Sequence, residues 1–176
     1  MKVLGLDSSG LVAGVALIQD DVLIAEYTTD YKKTHSQTLL PMLDELRRMV
    51  DLDLKSIDLI AVAAGPGSFT GLRIGSATAK GLGFALDIPL AAVPTVDALA
   101  YNLYGCEQLI CPMMDARRKQ VYTGIYRFAD HELVTVSRQK AIAVEELIRE
   151  LNALGEAVIF LGDGVTAVSY THLRAH

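Results

Sequence analysis

The residues best suited to hold a phosphate lie between Ala64 and Gly75, in the order Ala-Gly-Pro-Gly-Ser-Phe-Thr-Gly-Leu-Arg-Ile-Gly. This segment follows the apolar run Leu59–Ala63, which predicts a strand, a tight turn and then a helix. Gly65 and Gly67 permit positive φ or close approach of another backbone. Amide groups at the start of the helix would face outward, with the positive end of the helix dipole behind them. The loop therefore suits a phosphate, another protein, or a purely structural turn.

The spacing within this loop excludes three common motifs. Its glycines read G-x-G-x-x-x-G, one residue longer than the dinucleotide-binding fingerprint. A phosphate loop of the Walker type needs Gly-Lys followed by Ser or Thr, and the chain contains no such tripeptide. Pro66 stands where a serine hydrolase would place the first glycine before its nucleophile, here Ser68. The loop must be interpreted together with its neighbours.

Composition limits the classes of function that this chain can serve. Its 176 residues suffice for a sizeable core in one domain or two small lobes. No apolar run approaches the length of a membrane helix, so we expect a cytoplasmic protein with no membrane contact. The net charge of −5 argues against binding a polyanion unaided. Cys106 and Cys111 have a spacing that fits no zinc site and are expected to be reduced, buried thiols.

Periodicity and turn residues predict an α/β chain with a repeated order of elements. Three strands precede the first helix, as in a ribonuclease-H-like fold, and the pattern restarts near Gly105. Thr38 is expected to cap the first helix, which would place Pro41 in its first turn. The predicted strands are 2–7, 13–19, 22–28, 57–64, 90–93, 109–114, 121–128, 133–136 and 157–161, and the predicted helices are 38–50, 70–86, 95–104 and 144–154.

Four segments in this order resemble the TsaB (YeaZ) family, and the resemblance covers residues 1 to about 165. They are Val3–Ser9, His35–Pro41, the Gly65–Gly75 loop and Pro94–Leu99. The resemblance implies an actin/Hsp70/sugar-kinase-like (ribonuclease-H-like) fold of two lobes. It also implies a non-catalytic scaffold that binds and activates the catalytic paralogue TsaD, with the ATPase TsaE. Together they would form N6-threonylcarbamoyladenosine at position 37 of tRNAs that read ANN codons.

The resemblance assigns the chain an N-terminal lobe at 1–105 and a partial C-terminal lobe at 106–167. Residues 168–176 continue neither lobe and are interpreted as a non-native tail. Because members of the family are longer, we expect the second lobe to be incomplete. If the source genome encodes residues 168–176, this interpretation is wrong.

The resemblance also suggests a degenerate nucleotide site. In ATPases of this fold the residue matching Asp7 helps hold magnesium, and the following turn approaches the phosphates. Asp and Ser also simply favour turns, so a structural role stays open. The predicted nucleotide-binding residues are Asp7, Ser8, Gly65, Gly67 and Ser68. No cofactor is expected on this chain alone, whereas ATP or ADP with magnesium is compatible with the complex.

The sequence predicts no catalytic residue and no metal site. By the resemblance, Thr95 and Leu99 occupy the positions where the catalytic paralogue carries two metal-binding histidines, and neither residue type ligates iron or zinc in such sites. His35 is followed four residues later by Leu39, so it cannot pair along a helix as a ligand. A metallopeptidase is disfavoured because the chain lacks a His-Glu-x-x-His motif.

The helix at 70–86 has small residues every four positions at Gly71, Gly75, Ala79 and Gly83, which places them on one face. Each internal glycine costs about 1 kcal/mol relative to alanine, so close packing against this face is expected to offset that cost. The packing element is the chain's own helix 38–50 or a helix of another subunit. The resemblance implies both at once, with helices 38–50 and 70–86 lying together and presenting a shared surface to a partner. The predicted interface with TsaD or a second copy comprises Leu39, Leu43, Arg47, Gly71, Arg73, Gly75 and Ala79.

Two other segments keep further interpretations open. The run Asp115–Lys119 contains three consecutive cations that could meet a phosphate or an acidic partner, or form a solvated turn. Gly162–Gly164 could supply a second phosphate turn. The alternative to a scaffold is therefore an active ATPase or small-molecule kinase of the same fold. In either case tRNA would be bound only indirectly, through another subunit.

Overall fold

The computed structural model describes residues 1–30 and 35–169, which form two compact α/β units, Met1–Thr95 and a second unit from Val96 onward. The predicted α/β class is confirmed. The division between the units follows Thr95, whereas the sequence predicted it after Gly105. Val96 and Ala100 are fully buried in a cluster with Tyr126, and this packing assigns the segment after Thr95 to the second unit.

The first unit is a five-stranded sheet in the order β3-β2-β1-β4-β5, with antiparallel pairing among the first three strands and parallel pairing of β1, β4 and β5. A Leu-rich core lies where alternate strand residues meet two helices, and Leu4, Leu39 and Ile60 are almost completely buried. The elements are β1 (Lys2–Asp7), β2 (Ala13–Gln19), β3 (Val22–Thr29), α1 (His35–Met49), a 3-10 turn (Leu54–Ser56), β4 (Leu59–Ala63), α2 (Phe69–Leu86) and β5 (Leu90–Val93).

The second unit is a four-stranded sheet in the order β8-β7-β6-β9, with β6 antiparallel to β7 and parallel to β9. Its central strand β6 is buried along most of its length, because side chains on both faces pack against apolar clusters. The elements are α3 (Thr95–Ala100), a 3-10 turn (Tyr101–Leu103), β6 (Leu109–Asp115), β7 (Gln120–Ala129), β8 (Glu132–Ala143), α4 (Val144–Leu154), β9 (Val158–Leu161) and α5 (Asp163–Ser169).

Several predicted elements differ from the structure. The predicted helix 95–104 ends at Ala100 and is followed by a 3-10 turn, and α5 was not predicted. Helix α1 begins at His35, so Thr38 lies inside it and is not its cap, and Pro41 falls in the second turn. Strand β8 extends to Ala143, far beyond the predicted 133–136. Its polar residues carry no clear strand pattern, and pairing with β7 keeps them extended.

The predicted tail only partly lies within the described residues. Helix α5 continues through Ser169, whereas residues 170–176 lie outside the part of the chain that is described. Within the described ranges, no helix combines the length and apolar character needed to cross a membrane.

Candidate functional site

The turn after β1 and the loop after β4 meet at the start of α2. The Ser68 amide donates to the Ser9 carbonyl at 2.6 Å, and the Ser8 hydroxyl donates to the Gly71 carbonyl at 2.8 Å. A Cβ atom on Gly71 would lie 1.9 Å from the Ser8 carbonyl oxygen, and one on Gly67 would lie 2.3 Å from that of Ser9. Both positions therefore require glycine because another backbone approaches them closely.

The five predicted nucleotide-binding residues lie in this region and are used to hold it together. The Asp7 carboxylate accepts the Ser9 amide at 2.8 Å, and the Ser68 hydroxyl caps α2 by accepting the Gly71 amide at 3.2 Å. The Gly65 carbonyl accepts the Thr95 amide at 2.8 Å. Ser8 is only 2% exposed. These contacts give each polar group a structural partner within the unit.

The residues considered as metal ligands do not converge. The His35 ring donates from Nε2 to the Gly10 carbonyl at 2.8 Å, a contact that fixes the tautomer because a carbonyl only accepts. Thr95 and Leu99 lie one turn apart on α3, and the buried Thr95 hydroxyl has no hydrogen-bond partner in the described ranges. Among residues 1–30 and 35–169, no group of three or more His, Cys, Asp or Glu side chains is arranged to hold a metal ion.

The glycine face of α2 packs inside the first unit. A Cβ on Gly75 would lie 2.5 Å from the Ser8 hydroxyl, and one on Gly83 would lie 2.9 Å from the Ile88 carbonyl oxygen. The packing element is thus the turn after β1 together with the connection to β5. Helix α1 also packs here, since a Cβ on Gly71 would lie 3.2 Å from the His35 ring and Ala79 shares a core cluster with Leu39 and Leu43. The chain's own elements therefore cover this face, as one of the predicted alternatives had it, and contact with another subunit stays a prediction.

Five of the seven predicted interface residues are consequently not surface residues. Their side chains or backbone contribute to the core of the first unit, which leaves no exposed area for a partner. They are Leu39, Leu43, Gly71, Gly75 and Ala79. The other two, Arg47 and Arg73, are exposed. For these two the interface stays a prediction.

The exposed face of α2 carries aromatic side chains that the sequence interpretation missed. Phe69 is 69% exposed and Phe84 is 94% exposed, while on the neighbouring helix Leu40 is 53% exposed. The Arg73 guanidinium lies 3.9 Å from the centre of the Phe69 ring, in cation–π geometry. We call Leu40, Arg47, Phe69, Arg73 and Phe84 the outer surface of α1 and α2. Helical spacing could have identified it, since these α2 residues lie opposite the glycine face.

A groove of about 650 Å³ lies beside α2, between this helix and the strands β4 and β5. Its floor is made largely of alanine and other aliphatic side chains, and α2 contributes two cations to its wall. The lining residues are Val62, Ala63, Ala64, Leu72, Arg73, Ser76, Ala77, Lys80, Leu90, Ala91 and Ala92. No motif in the sequence indicated this groove, because it forms only when the end of the sheet and the helix come together.

Two buried groups in the second unit have raised pKa values. Burial, and to a lesser degree the hydrogen bond donated to Asp97 at 2.6 Å, raises the pKa of Tyr126. Burial raises the pKa of Cys111 to about 11, despite a contact of 3.3 Å with the Thr123 hydroxyl. The expectation of a buried thiol is confirmed for Cys111 but not for Cys106, which is only partly buried, and both cysteines are free in the described part of the chain. Neither group is poised for catalysis at neutral pH.

Comparison with known proteins gives consistent matches. The family described as "TsaD: tRNA N6-adenosine threonylcarbamoyltransferase" matches residues 23–171. The tRNA threonylcarbamoyladenosine biosynthesis protein TsaB of Bacillus subtilis is 40% identical over 92% of this chain and 71% of its own length. The TsaB of Escherichia coli is 28% identical over 85% of this chain and 65% of its own length.

Solved structures agree with these sequence matches. YeaZ from Pseudomonas aeruginosa superposes with a TM-score of 0.74 at 31% identity, covering 80% of this chain and 67% of that one. A second structure, of an uncharacterized protein with similarity to peptidase YeaZ, gives a TM-score of 0.83 at 29% identity, with 96% and 78% coverage. They support the actin/Hsp70/sugar-kinase-like fold predicted from the sequence.

The chain spans between about half and four-fifths of the length of the curated TsaB proteins that it matches. The family match runs through both units, from β3 to α5. By sequence and by fold, the chain belongs to the TsaB (YeaZ) family of tRNA threonylcarbamoyladenosine biosynthesis proteins.

Proposed function

We propose that this chain is a non-catalytic subunit that binds and activates a TsaD-like catalytic paralogue in forming N6-threonylcarbamoyladenosine at position 37 of tRNAs that read ANN codons. A TsaE-like ATPase completes the assembly. The relatives' role in this biosynthesis supports the reaction, and the outer surface of α1 and α2 supports the docking function. The same surface would also serve self-association when no paralogue is present.

The observation that carries the proposal is the exposure of aromatic rings on a helix. Phe84 is 94% exposed and Phe69 is 69% exposed, both on the face of α2 that points away from the sheet. Contiguous exposed apolar surface marks interaction sites, and aromatic residues and arginine are enriched at protein interfaces. Arg73 stacked on Phe69 supplies that arginine, and Arg47, paired with Asp44 at 3.1 Å, lies on the neighbouring helix.

Hydrogen bonds within the first unit support a structural role for the turn after β1 and the loop before α2. The Ser8 hydroxyl, the Ser68 hydroxyl and the Asp7 carboxylate all accept or donate within the unit. A nucleotide bound there would compete with these hydrogen bonds for the same groups. In this proposal ATP or ADP with magnesium enters only in the assembled complex, and the negative charge of this chain assigns tRNA binding to the other subunits.

Size-exclusion chromatography of the chain with TsaD from the same source tests the docking step. We expect a complex with the unaltered chain and its loss with Phe84→Glu, because a carboxylate would be buried at the centre of the interface. Tyr101→Glu is the matched control, since Tyr101 is 54% exposed but lies in the second unit. Retention of the complex by Phe84→Glu would contradict this use of α2.

Calorimetric titration with Mg-ATP separates the scaffold from the alternative, an active ATPase or small-molecule kinase. The proposal predicts no measurable binding to the isolated chain, because the hydrogen-bonding groups of the loop are already used. Turnover of ATP by the chain alone, proportional to its concentration, would replace the scaffold proposal with the enzyme.

A further inference from the structure

The groove beside α2 has features of a binding site rather than of a packing defect. Its volume of about 650 Å³ lies within the range of sites that enclose a small ligand or several side chains. The floor comes from the ends of β4 and β5, where the apolar residues Val62, Leu90 and Ala92 lie on the face of the sheet that meets α2. Apolar surface of this kind is covered favourably by apolar side chains of a partner.

The two cations on the groove wall are the only charged residues of α2. Arg73 and Lys80 are both exposed, and neither forms a salt bridge with any residue in the described ranges 1–30 and 35–169. In a chain of net charge −5, two cations without a carboxylate partner in those ranges, beside an apolar floor, form a local positive field. The charge complementarity of the groove therefore favours a partner that carries carboxylates.

The spacing of the cations selects the conformation of that partner. Arg73 and Lys80 are seven residues apart on a helix, which corresponds to about 10.5 Å along its axis. Two carboxylates seven residues apart on a packed helix have the same separation and share a face. On a strand, residues on one face are separated by about 6.6 or 13 Å, so their carboxylates would not match both cations.

We propose that the groove between α2 and β5 receives an acidic amphipathic helix of a partner protein, with carboxylates two turns apart that pair with Arg73 and Lys80. Apolar residues of the same helix cover the floor at Leu90 and Ala92. A second copy of this chain that packed its α2 on this α2 would fit the groove less well than an acidic helix. It would place its own two cations next to Arg73 and Lys80. The inference rests on the proposed docking function only in supposing that the partner belongs to the same assembly.

The test uses the full chain and a synthetic peptide, so its outcome does not depend on whether TsaD binds. The probe is a capped Leu/Ala peptide of about 15 residues with Glu at two positions seven apart, and its control has Gln at both positions. We expect amide shifts at Ser76, Ala77 and Ala91, and binding of the Gln peptide weaker by about threefold to tenfold. The difference should shrink between low and high salt.

A charge exchange makes the assignment specific. The double variant Arg73→Glu/Lys80→Glu should lose the Glu peptide and gain a peptide with Lys at the same two positions. Lys55→Glu/Arg118→Glu changes the net charge equally at exposed sites elsewhere and should behave like the unaltered chain. Equal binding of Glu and Gln peptides, shifts outside the groove, or failure of the exchange would overturn the inference. If Arg73→Glu/Lys80→Glu instead altered self-association while no peptide bound, the occupant would be a second copy and the inference would be wrong.

Discussion

The two units of this chain repeat one order of elements with different side chains. Each contains three antiparallel strands, a helix, a strand parallel to the first, and a further helix. The sheet orders β3-β2-β1-β4 and β8-β7-β6-β9 correspond strand for strand. In each unit the first strand is central, and the crossover helix connects the third strand to the fourth. Two sequences with little in common therefore satisfy the same topology.

The backbone contacts at the end of the first strand are also repeated. The Asp7 carboxylate accepts the amide of Ser9, and the Asp115 carboxylate accepts the amide of Arg117, both at 2.8 Å. In each unit a glycine from the loop after the fourth strand lies against the first strand or its turn. A Cβ on Gly67 would lie 2.3 Å from the Ser9 carbonyl oxygen, and one on Gly162 would lie 2.3 Å from that of Met113.

The units differ in what these turns and helices expose. The turn after β1 contains Ser8 and Ser9, both buried, whereas the turn after β6 holds Arg117, Arg118 and Lys119 at positive φ and exposed. The loop of the first unit leads into the 18-residue helix α2, with its exposed rings and the adjacent groove. Backbone contacts thus maintain the fold in both units, and function is to be sought where the exposed side chains differ.

The largest expected effect comes from Gly71→Ala. A Cβ atom 1.9 Å from the Ser8 carbonyl oxygen cannot be accommodated without moving α2 away from β1, so we expect a loss of about 3 kcal/mol or more in unfolding free energy. Gly81→Ala is the control, because no atom lies within 4 Å of its added Cβ and alanine favours a helix interior by about 1 kcal/mol. Thermal denaturation should show opposite shifts. Similar melting temperatures for the two variants would show that the contact does not hold the unit together.

The origin of this contact explains which parts of the fold the sequence could reveal. The alternating strands and the regular spacing on α2 are local patterns, and the structure confirms the elements that they predict. What packs on the glycine face is a long-range question. Periodicity shows that a close neighbour exists but not that the neighbour is Ser8, more than 60 residues earlier in the chain.

The candidate site was predictable in the same partial way. Resemblance located Asp7, Ser8 and the glycine loop, and the structure does bring them together. Five predicted interface residues are buried within the first unit, because small and apolar residues mark a core face as readily as a docking face. Phe84 could have indicated the exposed side of α2, since a large ring opposite a buried face has no partner within its own unit.

A smaller effect is expected from the corresponding glycine of the second unit. Gly162 has φ +99°, and its added Cβ would meet the Met113 carbonyl oxygen at 2.3 Å, so Gly162→Ala combines backbone strain with a clash and should cost about 2 kcal/mol. Gly105→Ala isolates the strain, because Gly105 has φ +79° but no atom within 4 Å of the added Cβ. The amide hydrogen exchange rates of β6 and β9 should increase much more in Gly162→Ala than in Gly105→Ala. Equal exchange would mean that the repeated contact is not required in this unit.

The smallest effect concerns an ion pair that joins α4 to β8 in the second unit. Lys140 donates to both Glu150 carboxylate oxygens, at 2.9 and 2.7 Å, and this hydrogen bonding holds the pKa of Glu150 below its ordinary value. A carboxyl whose folded pKa is lowered stabilises the folded state at pH values above its unfolded pKa, and that contribution disappears as pH falls through the folded pKa. Glu150→Gln should therefore cost about 0.5 kcal/mol at neutral pH, since the pair is partly exposed.

The pH dependence distinguishes this ion pair from simple packing. Urea unfolding of the unaltered chain and of Glu150→Gln should differ at pH 7 and converge in acid, where Glu150 is protonated in both the folded and the unfolded state. Glu146→Gln, on the exposed side of α4, is the matched control and should show little difference at either pH. A difference for Glu150→Gln that persisted in acid would instead attribute the effect to the packing of the side chain against β8. The second unit would then, like the first, be held by contacts that do not depend on charge.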